Sequence, residues 1–445
     1  MVEPFLALAL FAVIFWLMFL GRIDRTLLVL AGGGLFVFVG SLLDFYSIQM
    51  AWQSVYFETL ALIFGLTLIS STLEKSGYFQ VLAGRMARFA RGDGWLVLVF
   101  FSLITYFFSL FINNLATIVV ILPITLTLCR RTMINPVPVV IAEVIASNLG
   151  GASTMMGDFP NMIISSVGKL HFLDFIGGMM VPSLFLLAAM LLFFQSRKRM
   201  IVGQSVKVVA PRDSSSFSTS TVGLLADIQV DQFRLRLGGG TLFFTLCGFL
   251  LAEPLDIRPG VVALVSGLFL LMTARFKLRE LFVVTGGGDI LFFSGLFIMV
   301  GGLQGAGVLD GISWLINQVS GGEPVLELLA LLWIAGMVTP FLNAGPATAF
   351  FIPIAQELSG FIPGETVWWA LSLGVLAGSS ASLSGATAGS VAASHMDAHL
   401  KRYPEVLKLI PRGRRLGFQE YQRWGRPIMG LFLGISSLYL ILISP

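Results

Sequence analysis

Residues Val144 to Lys169 interrupt an otherwise apolar part of the chain and read VIASNLGGASTMMGDFPNMIISSVGK. Both flanks are apolar enough to lie in a bilayer, yet the stretch carries a glycine pair, an aspartate, a proline and an asparagine. A carboxylate at the bilayer centre costs about 2.5–3.5 kcal/mol on insertion scales, so a simple membrane helix would avoid these residues. The pattern therefore predicts a membrane helix that is broken at mid-depth to build a site.

The composition is that of a polytopic membrane protein. Of the 445 residues, 56% are hydrophobic and 12% are charged, whereas soluble domains contain about a quarter charged residues. Cys129 and Cys247 are too few and too dispersed for a metal centre or a disulfide framework. No nucleophile–base pair, nucleotide loop or cofactor motif indicates an enzyme, so we expect a non-enzymatic protein without a cofactor.

Apolar runs of the length that a transmembrane helix needs, about 17–25 residues, recur along the chain. The uninterrupted runs lie at 4–20, 26–43, 57–73, 174–194, 237–252, 258–274, 288–304 and 427–443. Two longer regions, 136–168 and 365–396, contain Gly, Ser and Pro and are predicted as broken helices. Two others, 95–129 and 326–359, carry a polar break at mid-length and form either two full spans or a re-entrant hairpin.

The basic residues give the orientation of the chain. If the two regions with polar breaks are hairpins, ten crossings remain, and all Lys and Arg except Lys169 and Arg258 fall on one side. That side is then cytoplasmic by the positive-inside rule. Two full spans would keep the same parity, but the short breaks with apolar flanks favour hairpins. The net charge of +4 is explained by topology, and we expect no nucleic-acid partner.

The two halves of the chain resemble each other at a nearly constant offset. Asn113 precedes Pro123 by ten residues, and Asn343 precedes Pro353 by ten, 230 residues further on. Three more pairs recur at offsets of 228 to 231, namely Gly77 with Gly307, Gly157 with Gly385, and Glu58 with Asp289. Each half has five crossings and one hairpin, and the odd number means that the second copy enters the membrane upside down.

This repeat predicts the domain organisation and the fold class. The first copy covers 1–194, a polar linker covers 195–236 and should be cytoplasmic, and the second copy covers 237–445. The expected fold is an all-α polytopic membrane protein with two inverted repeats, about ten transmembrane helices, two re-entrant hairpins and two broken helices. Secondary transporters have this architecture, and their sites lie near the midplane where the broken helices meet.

Asp158 is the candidate ion-binding residue of the first broken helix, for Na⁺ or a proton in turn. Non-helical backbone at this depth is tolerated where it lines a cavity, and carboxylate, carbonyl and amide oxygens suit a small hard cation. The candidate cation-binding residues are Asn113, Asn114, Thr117, Gly150, Gly151, Ser153, Thr154, Asp158 and Asn161. Half-helix N-termini could instead favour an anion, and any single Asn or Ser could simply join two helices by a hydrogen bond.

Glu143 is a second acid within the membrane, fifteen residues before Asp158. It is a further proton carrier, a partner for a basic group, or a carboxyl that its apolar surroundings keep protonated.

The second half has a weaker set of polar residues. Ala344 replaces Asn114, and Ala386 occupies the place of Asp158 at the same offset. The residues of this degenerate second site are Asn343, Thr348, Ser380, Ser382 and Ser384. One charged site suits the exchange of a cation against protons, whereas a carrier of multivalent anions would place basic residues in the core.

Two motifs resemble those of the ion transporter superfamily that includes arsenite permeases, NhaD-type sodium/proton antiporters, and dicarboxylate and citrate carriers. FINNLATIVVILPI is similar to its hairpin-tip motif, and SNLGGASTMMGDFPN is similar to its broken-helix signature, with Phe159 in place of the first proline. The resemblance implies an elevator-like transport domain that moves against a scaffold, and usually a homodimer in the lipid bilayer.

Longer strings, among them VYFETLALIFG, GGDILFFSGLFIMVGGL and WWALSLGVLAGSSASLSGATAGS, resemble membrane proteins of the magnetosomes of magnetotactic bacteria. This resemblance implies a multi-pass protein of the magnetosome membrane, which derives from the inner membrane, and a role in ion and pH homeostasis of the lumen during magnetite formation. The expected function is proton-coupled cation antiport. The alternatives are an anion or metalloid permease on the same scaffold and a non-transporting assembly protein.

Overall fold

The computed structural model describes residues 3–86, 93–198, 229–411 and 413–444. Within these ranges the chain forms helices and no strand, and eight helices are long and apolar enough to cross a membrane. The predicted all-α polytopic fold is therefore confirmed. Most of the predicted linker at 195–236 lies outside the described residues.

The helices of the first half follow the predicted apolar runs to within a few residues. They are α1 (Glu3–Phe19), α2 (Arg25–Leu42), α3 (Ile48–Gln53), α4 (Phe57–Lys75), α5 (Tyr78–Met86), α6 (Gly94–Ser109), α7 (Asn114–Arg131), α8 (Pro136–Ala152), α9 (Phe159–Gly168) and α10 (Phe172–Ser196). A π-helical turn at Ile176–Met180 interrupts α10. The short helices α3 and α5 were not predicted.

The helices of the second half repeat this order. They are α11 (Gln232–Ala252), α12 (Pro259–Thr273), α13 (Leu278–Val284), α14 (Gly287–Gly305), α15 (Val308–Ser320), α16 (Pro324–Leu342), α17 (Ala344–Ser359), α18 (Thr366–Ser379), α19 (Gly389–Arg402) and α20 (Phe418–Ile443). A 3₁₀ helix at Pro404–Leu409 precedes α20. Helix α11 begins inside the predicted linker, and α20 begins earlier than its apolar run.

The helix starts extend the repeat seen in the sequence. Each of the six helices from α4 to α9 has a counterpart, from α14 to α19, that begins 230 residues later. The packing is repeated as well, because α6 packs on α8 as α16 packs on α18, and α4 packs on α12 as α14 packs on α2. The halves interlock, since α9 packs against α17 and α19 packs against α7. The domain boundaries drawn from the sequence stay a prediction.

Two ion pairs join the halves in the same exchanged manner. Arg25 on α2 lies 3.1 Å from Asp289 on α14, and Arg258 before α12 lies 3.5 Å from Glu58 on α4. Exposed ion pairs contribute about 0–1 kcal/mol each, so their value lies in fixing the register of the paired helices. Glu58 and Asp289 lie in the first turns of the corresponding helices α4 and α14, and each binds an arginine of the other half.

Each hairpin tip binds at the break of a helix. The amide of Asn114 donates to the carbonyl of Gly157 over 3.2 Å, and the amide of Ala344 donates to the carbonyl of Gly385 over 3.1 Å. The turn of each predicted hairpin therefore lies against the interrupted part of a helix, which agrees with the hairpins expected from the sequence.

Side-chain hydroxyls repeat this docking. Thr154 donates to the carbonyl of Leu110 over 2.7 Å in the first half, and Ser382 donates to the carbonyl of Pro340 over 2.9 Å in the second. Carbonyls left free at the hairpin tips thus gain partners inside the protein, as a low-dielectric environment demands.

A glycine in α4 sets the distance to α12. A β-carbon on Gly65 would lie 2.0 Å from the carbonyl oxygen of Ala263. We predict that Gly65→Ala pushes the two helices apart and lowers the free energy of unfolding by about 1–3 kcal/mol, the usual cost of overpacking. Thermal unfolding of the purified protein in detergent measures this, with Gly34→Ala as control, because a β-carbon on Gly34 meets nothing within 4 Å. Equal melting temperatures for the two variants would contradict the prediction.

Candidate cation site

Asp158 lies at the junction of the break and α9, where it caps the helix. Its Oδ1 accepts a hydrogen bond of 2.9 Å from the amide of Phe159, and the side chain is 6% exposed. A carboxylate in this position is stabilised by the helix dipole, which offsets part of the cost of burial. Pro160 follows in the first turn of the helix, where its missing amide hydrogen costs no bond.

Asn161 holds the non-helical link between α8 and α9. Its Nδ2 donates to the carbonyls of Gly151, Ala152 and Thr154 at 3.4, 2.8 and 3.0 Å. The last carbonyls of a helix have no partner within the helix, and here one amide group supplies it. Ser372 of α18 in turn donates to Asn161 Oδ1 over 2.9 Å, so the second half of the chain fixes the orientation of this amide.

Two glycines allow the hairpin and the break to meet. A β-carbon on Gly151 would lie 2.5 Å from Asn114 Oδ1 and 3.0 Å from the β-carbon of Asp158. A β-carbon on Gly157 would lie 2.1 Å from the carbonyl oxygen of Ser109. Glycine is therefore required here by space, and its presence brings the Asn114 amide and the Asp158 carboxylate to the same side of the link.

A chain of side-chain hydrogen bonds crosses from the first hairpin to α18. Ser109 donates to Asn114 Oδ1 over 2.5 Å, Asn114 Nδ2 donates to Asn148 Oδ1 over 3.3 Å, and Asn148 Nδ2 donates to Ser379 Oγ over 3.1 Å. All four side chains are buried. Hairpin, broken helix and second half are thereby tied together around Asp158.

A cavity of about 10 Å³ lies between the two broken helices. It is lined by Asn148, Ala152, Asp158, Pro160, Asn161, Ala344, Ser372, Val375, Leu376 and Ser379. This volume holds about one water-sized particle. None of the ten lining residues is a lysine or an arginine, and Asp158 is the one acid among them. The site is thus a small chamber with one carboxylate, several neutral oxygen atoms and a partly apolar wall.

Thr387, in the link before α19, is a second-half residue whose hydroxyl contacts the carboxylate. Its Oγ1 donates to Asp158 Oδ1 at 3.2 Å and lies 3.4 Å from Oδ2. Sequence reasoning missed Thr387 together with Asn148, Ser372 and Ser379. Ser372 and Ser379 are seven residues apart, so their hydroxyls lie on one face of an apolar helix. This spacing is a signal by which the sequence could have identified the two residues.

The structure places the other predicted side chains of the first half around the cavity rather than in its lining. Asn113 caps α7 by accepting from the amide of Ala116 over 2.8 Å. Thr117 donates to the carbonyl of Ile112, and Ser153 donates to that of Leu149. Gly150 belongs to the end of α8. Asp158 and Asn161 are the predicted residues that line the cavity, and a cation-binding role for the set stays a prediction.

The polar residues of the second half bind their own backbone. Asn343 Nδ2 donates to the carbonyl of Ser384 over 2.9 Å. Further hydroxyl donors to nearby carbonyls are Thr348 to Ala344, Ser380 to Leu376, Ser382 to Pro340 and Ser384 to Pro340. Their arrangement in this structure serves the fold of the second break and leaves them outside the lining of the cavity.

The breaks differ in length, which corrects one correspondence. Gly157 precedes the start of α9 by two residues, but its counterpart Gly385 precedes the start of α19 by four. The residue that caps α19 is therefore Ala388, 230 residues after Asp158. It is not Ala386, which the offset of 228 between Gly157 and Gly385 predicts. In both alignments an alanine stands where the first half has its aspartate.

Glu143 on α8 is completely buried and lies outside the lining of the cavity. Thr125 donates to its Oε1 over 2.5 Å, while its Oε2 has no hydrogen-bond partner among the described residues. An ionised carboxylate with an orphaned oxygen is costly in an apolar interior. Whether Glu143 carries protons or stays a neutral carboxyl remains a prediction.

Acidic residues gather near the start of α18. Glu365 precedes this helix, and burial raises its pKa above the ordinary value. The carboxylates of Asp174 and Glu253 raise that pKa further, because like charges disfavour ionisation.

Interlocked broken helices around a small buried carboxylate site define a membrane transporter. The chain belongs to the citrate transporter family, CitMHS, whose model matches residues 11–374. The class expected from the sequence is therefore confirmed, and the protein is a transporter and not an enzyme.

Relatives and one solved structure agree with this assignment. The magnetosome protein MamN of Magnetospirillum gryphiswaldense is 45% identical over 99% of both chains, and MamN of Paramagnetospirillum magneticum is 44% identical over 98% of both. An uncharacterized transporter of Mycobacterium tuberculosis is 27% identical over 98% of this chain and 97% of its own. The YdaH transporter of Alcanivorax borkumensis superposes with a TM-score of 0.57 over 94% of this chain and 98% of its own, at 13% identity. The last likeness concerns the fold alone.

The three bonds of Asn161 predict a measurable effect on stability. Asn161→Leu keeps the branched shape of the side chain but leaves three carbonyls of the link without this donor, so we expect unfolding to become easier by about 1–3 kcal/mol. Thermal unfolding in detergent measures the change. Ser372→Ala removes a single bond to the same amide and serves as the matched control. An equal loss in both variants would show that the link does not depend on the three bonds.

Proposed function

We propose that the protein is a proton-coupled cation antiporter in which Asp158 binds a small cation and a proton in turn. The observation that carries the proposal is the cavity of about 10 Å³ that contains one carboxylate and no basic side chain. A chamber of this size fits a monatomic ion that has lost its water shell. The neutral oxygens of Asn148, Asn161, Ser372 and Ser379 are the available partners.

The exchange follows from the cost of moving charge through an apolar environment. Ionised Asp158 carries a negative charge, whereas Asp158 with either a proton or a monovalent cation is neutral. Moving the empty carboxylate costs several kcal/mol more than moving the loaded one. The site therefore changes sides only when loaded, so that a cation travelling one way is exchanged for a proton travelling the other.

The moving part in this proposal is the unit tied together around Asp158. It consists of the two hairpins and the two broken helices, which bind each other at their tips and breaks. Helices α2, α4, α12 and α14 pack in exchanged pairs and would form the scaffold of an elevator-like movement, with the molecule as a homodimer.

The cellular setting proposed for this activity rests on the relatives. Two proteins with 44–45% identity are magnetosome proteins. We therefore place this chain in the magnetosome membrane, with the central linker in the cytoplasm. Formation of magnetite releases protons, and a cation antiporter would remove them from the lumen and keep its pH and ion content constant.

The second candidate function is carriage of a citrate-like anion, which the family model favours. Pockets for organic ligands usually measure about 300–1,000 Å³, and multivalent carboxylates need cationic partners. The cavity offers about 10 Å³ and no lysine or arginine. Antiport of a small cation is therefore the better match to the site, and a purely structural role in magnetosome assembly would leave the buried carboxylate without use.

The first test is cation-driven proton movement in proteoliposomes with an internal pH dye. Sodium, lithium, potassium and ferrous iron are each tested against an imposed proton gradient. The wild type should move protons in response to at least one of these cations, and Asp158→Asn should reduce the rate to that of empty liposomes, because it removes the only charge in the cavity lining. Glu143→Gln is the matched control and should retain exchange, since Glu143 lies outside the lining. A wild type that moves protons with no cation would contradict the proposal, and citrate uptake in its place would establish the second candidate.

A single carboxylate also predicts electroneutral exchange for a monovalent cation. The membrane potential is clamped with valinomycin and potassium at values between zero and about 100 mV. The initial rate of proton movement should stay unchanged over this range, whereas an exchange that moved one net charge would change in free energy by about 2.3 kcal/mol per 100 mV. A rate that depends on the potential would contradict one-for-one exchange and point to a second titrating group, for which Glu143 is the candidate.

A further inference from the structure

We infer that Thr387 sets the balance between cation and proton at Asp158, and that the second half of the chain acts on the site through this hydroxyl. The inference rests on the proposed antiport and goes beyond it, because it assigns the choice between the two ions to a residue outside the broken helix that carries the carboxylate. Thr387 is proposed as a positioning residue that acts through Asp158.

The first observation is the contact itself. Thr387 Oγ1 lies 3.2 Å from one carboxylate oxygen of Asp158 and 3.4 Å from the other. Within the described part of the chain, this is the side-chain hydrogen bond that the second half makes to the carboxylate. It reaches the carboxylate directly, whereas Ser372 and Ser379 bind the amides of Asn161 and Asn148.

The second observation is the extra length of the second break. Both breaks dock on a hairpin tip through the glycine carbonyls of Gly157 and Gly385. Beyond that point, the second break takes two more residues before its helix begins. Thr387 lies in this additional length, which carries its hydroxyl across to the other half of the chain.

The third observation is that the chain is held on both sides of Thr387. Asn343 Nδ2 donates to the carbonyls of Ser384 and Ala386 at 2.9 and 3.2 Å. On the other side, a β-carbon on Gly389 would lie 1.9 Å from the carbonyl oxygen of Leu383. The link is thus closed tightly on itself, and the hydroxyl is held in place by the backbone.

A threonine hydroxyl has one donor and two acceptor lone pairs. Towards an ionised Asp158 it donates, and such a bond to a charged acceptor favours the charged form. Towards a bound cation the same oxygen is a neutral ligand. Loss of the hydroxyl therefore leaves the proton held more tightly and the cation held less tightly, so cation exchange should need a higher pH and a higher cation concentration.

Other groups around Asp158 do not provide a competing charge. The remaining polar side chains of the cavity lining are Asn148 on α8, Asn161 on α9, and Ser372 and Ser379 on α18, and α17 contributes Ala344. On α7, Asn114 presents a neutral amide next to the carboxylate. None of these groups titrates, and Glu143 on α8 lies outside the lining and is unchanged in the Thr387 variants. A difference between the pH profiles of the wild type and these variants therefore reports on Asp158 and its hydrogen bonds.

The test compares Thr387→Val, which keeps the shape and removes the hydroxyl, with Thr387→Ser, which keeps the hydroxyl. Proton movement in proteoliposomes is recorded over a range of pH and of concentrations of the active cation. For Thr387→Val we expect an increase of about ten-fold or more in the apparent KM for the cation, as hydrogen bonds to charged groups imply, and a pH profile displaced to higher pH. Thr387→Ser should stay within about two-fold of the wild type. Thr127→Val, which removes a hydroxyl bonded to its own helix away from the site, should behave as the wild type.

The outcomes separate this inference from the proposed function. An unchanged KM and pH profile in Thr387→Val, with a wild type that exchanges ions, would overturn the inference alone. A wild type without any exchange would overturn the proposed function and the inference together. Thr387→Ala is the second hydroxyl-free variant, used if the valine variant is not recovered folded, and it must show the same displacement. A Thr387→Ser protein as impaired as the hydroxyl-free variants would reduce Thr387 to a structural role.

Discussion

Backbone polar groups in the middle of a membrane must find partners within the protein, because hydrocarbon offers none. Each broken helix meets this requirement with the tip of a neighbouring hairpin, through Asn114 to Gly157 and Ala344 to Gly385. Asn161 then takes up the carbonyls at the end of α8. The hairpins and the breaks are therefore mutually dependent, since neither could lie at this depth alone. The site is a consequence of the same construction, because it occupies the space between two helix ends that have been brought together in this way.

The two halves share this frame but not the side chains that it presents. The docking contacts use backbone atoms, small residues and hydroxyls, so they persist in the second half although Asn114 is replaced by Ala344 and Asp158 by Ala388. The fold therefore places no demand on the identity of those residues. What remains is one cavity whose single carboxylate comes from the first half, while the second half supplies the neutral side chains of Ala344, Ser372, Val375, Leu376 and Ser379. The cavity therefore has two unlike walls, one charged and one neutral.

The fold could be predicted well because length and hydropathy dictate where a membrane helix lies, and because all basic residues except Lys169 and Arg258 fall on one side of the predicted topology. The site could be predicted only in part. Asp158 stands out, since burying a carboxylate is costly. A hydroxyl such as that of Ser153 could not be assigned, because whether it bonds the preceding turn or faces a cavity depends on rotation about the helix. Thr387 could not be identified from the repeat, because the second link continues for two more residues between its docking glycine, Gly385, and the next helix. A constant offset between the repeats does not show this difference.

The unlike walls have a consequence for coupling. The helix cap at Phe159 and the hydroxyl of Thr387 stabilise the ionised Asp158, which an exchanger needs in order to release its proton at all. The neutral wall acts in the opposite direction, because Ala344, Val375 and Leu376 offer no partner to an unneutralised charge. In the proposed cycle these two effects have separate tasks: the donors keep the ionised state accessible while the site is open, and the neutral wall keeps that state from crossing. A basic residue on the second wall would neutralise the empty carboxylate, weaken this barrier and allow the empty carrier to return. A second wall without charge therefore favours tight coupling in the proposed cycle.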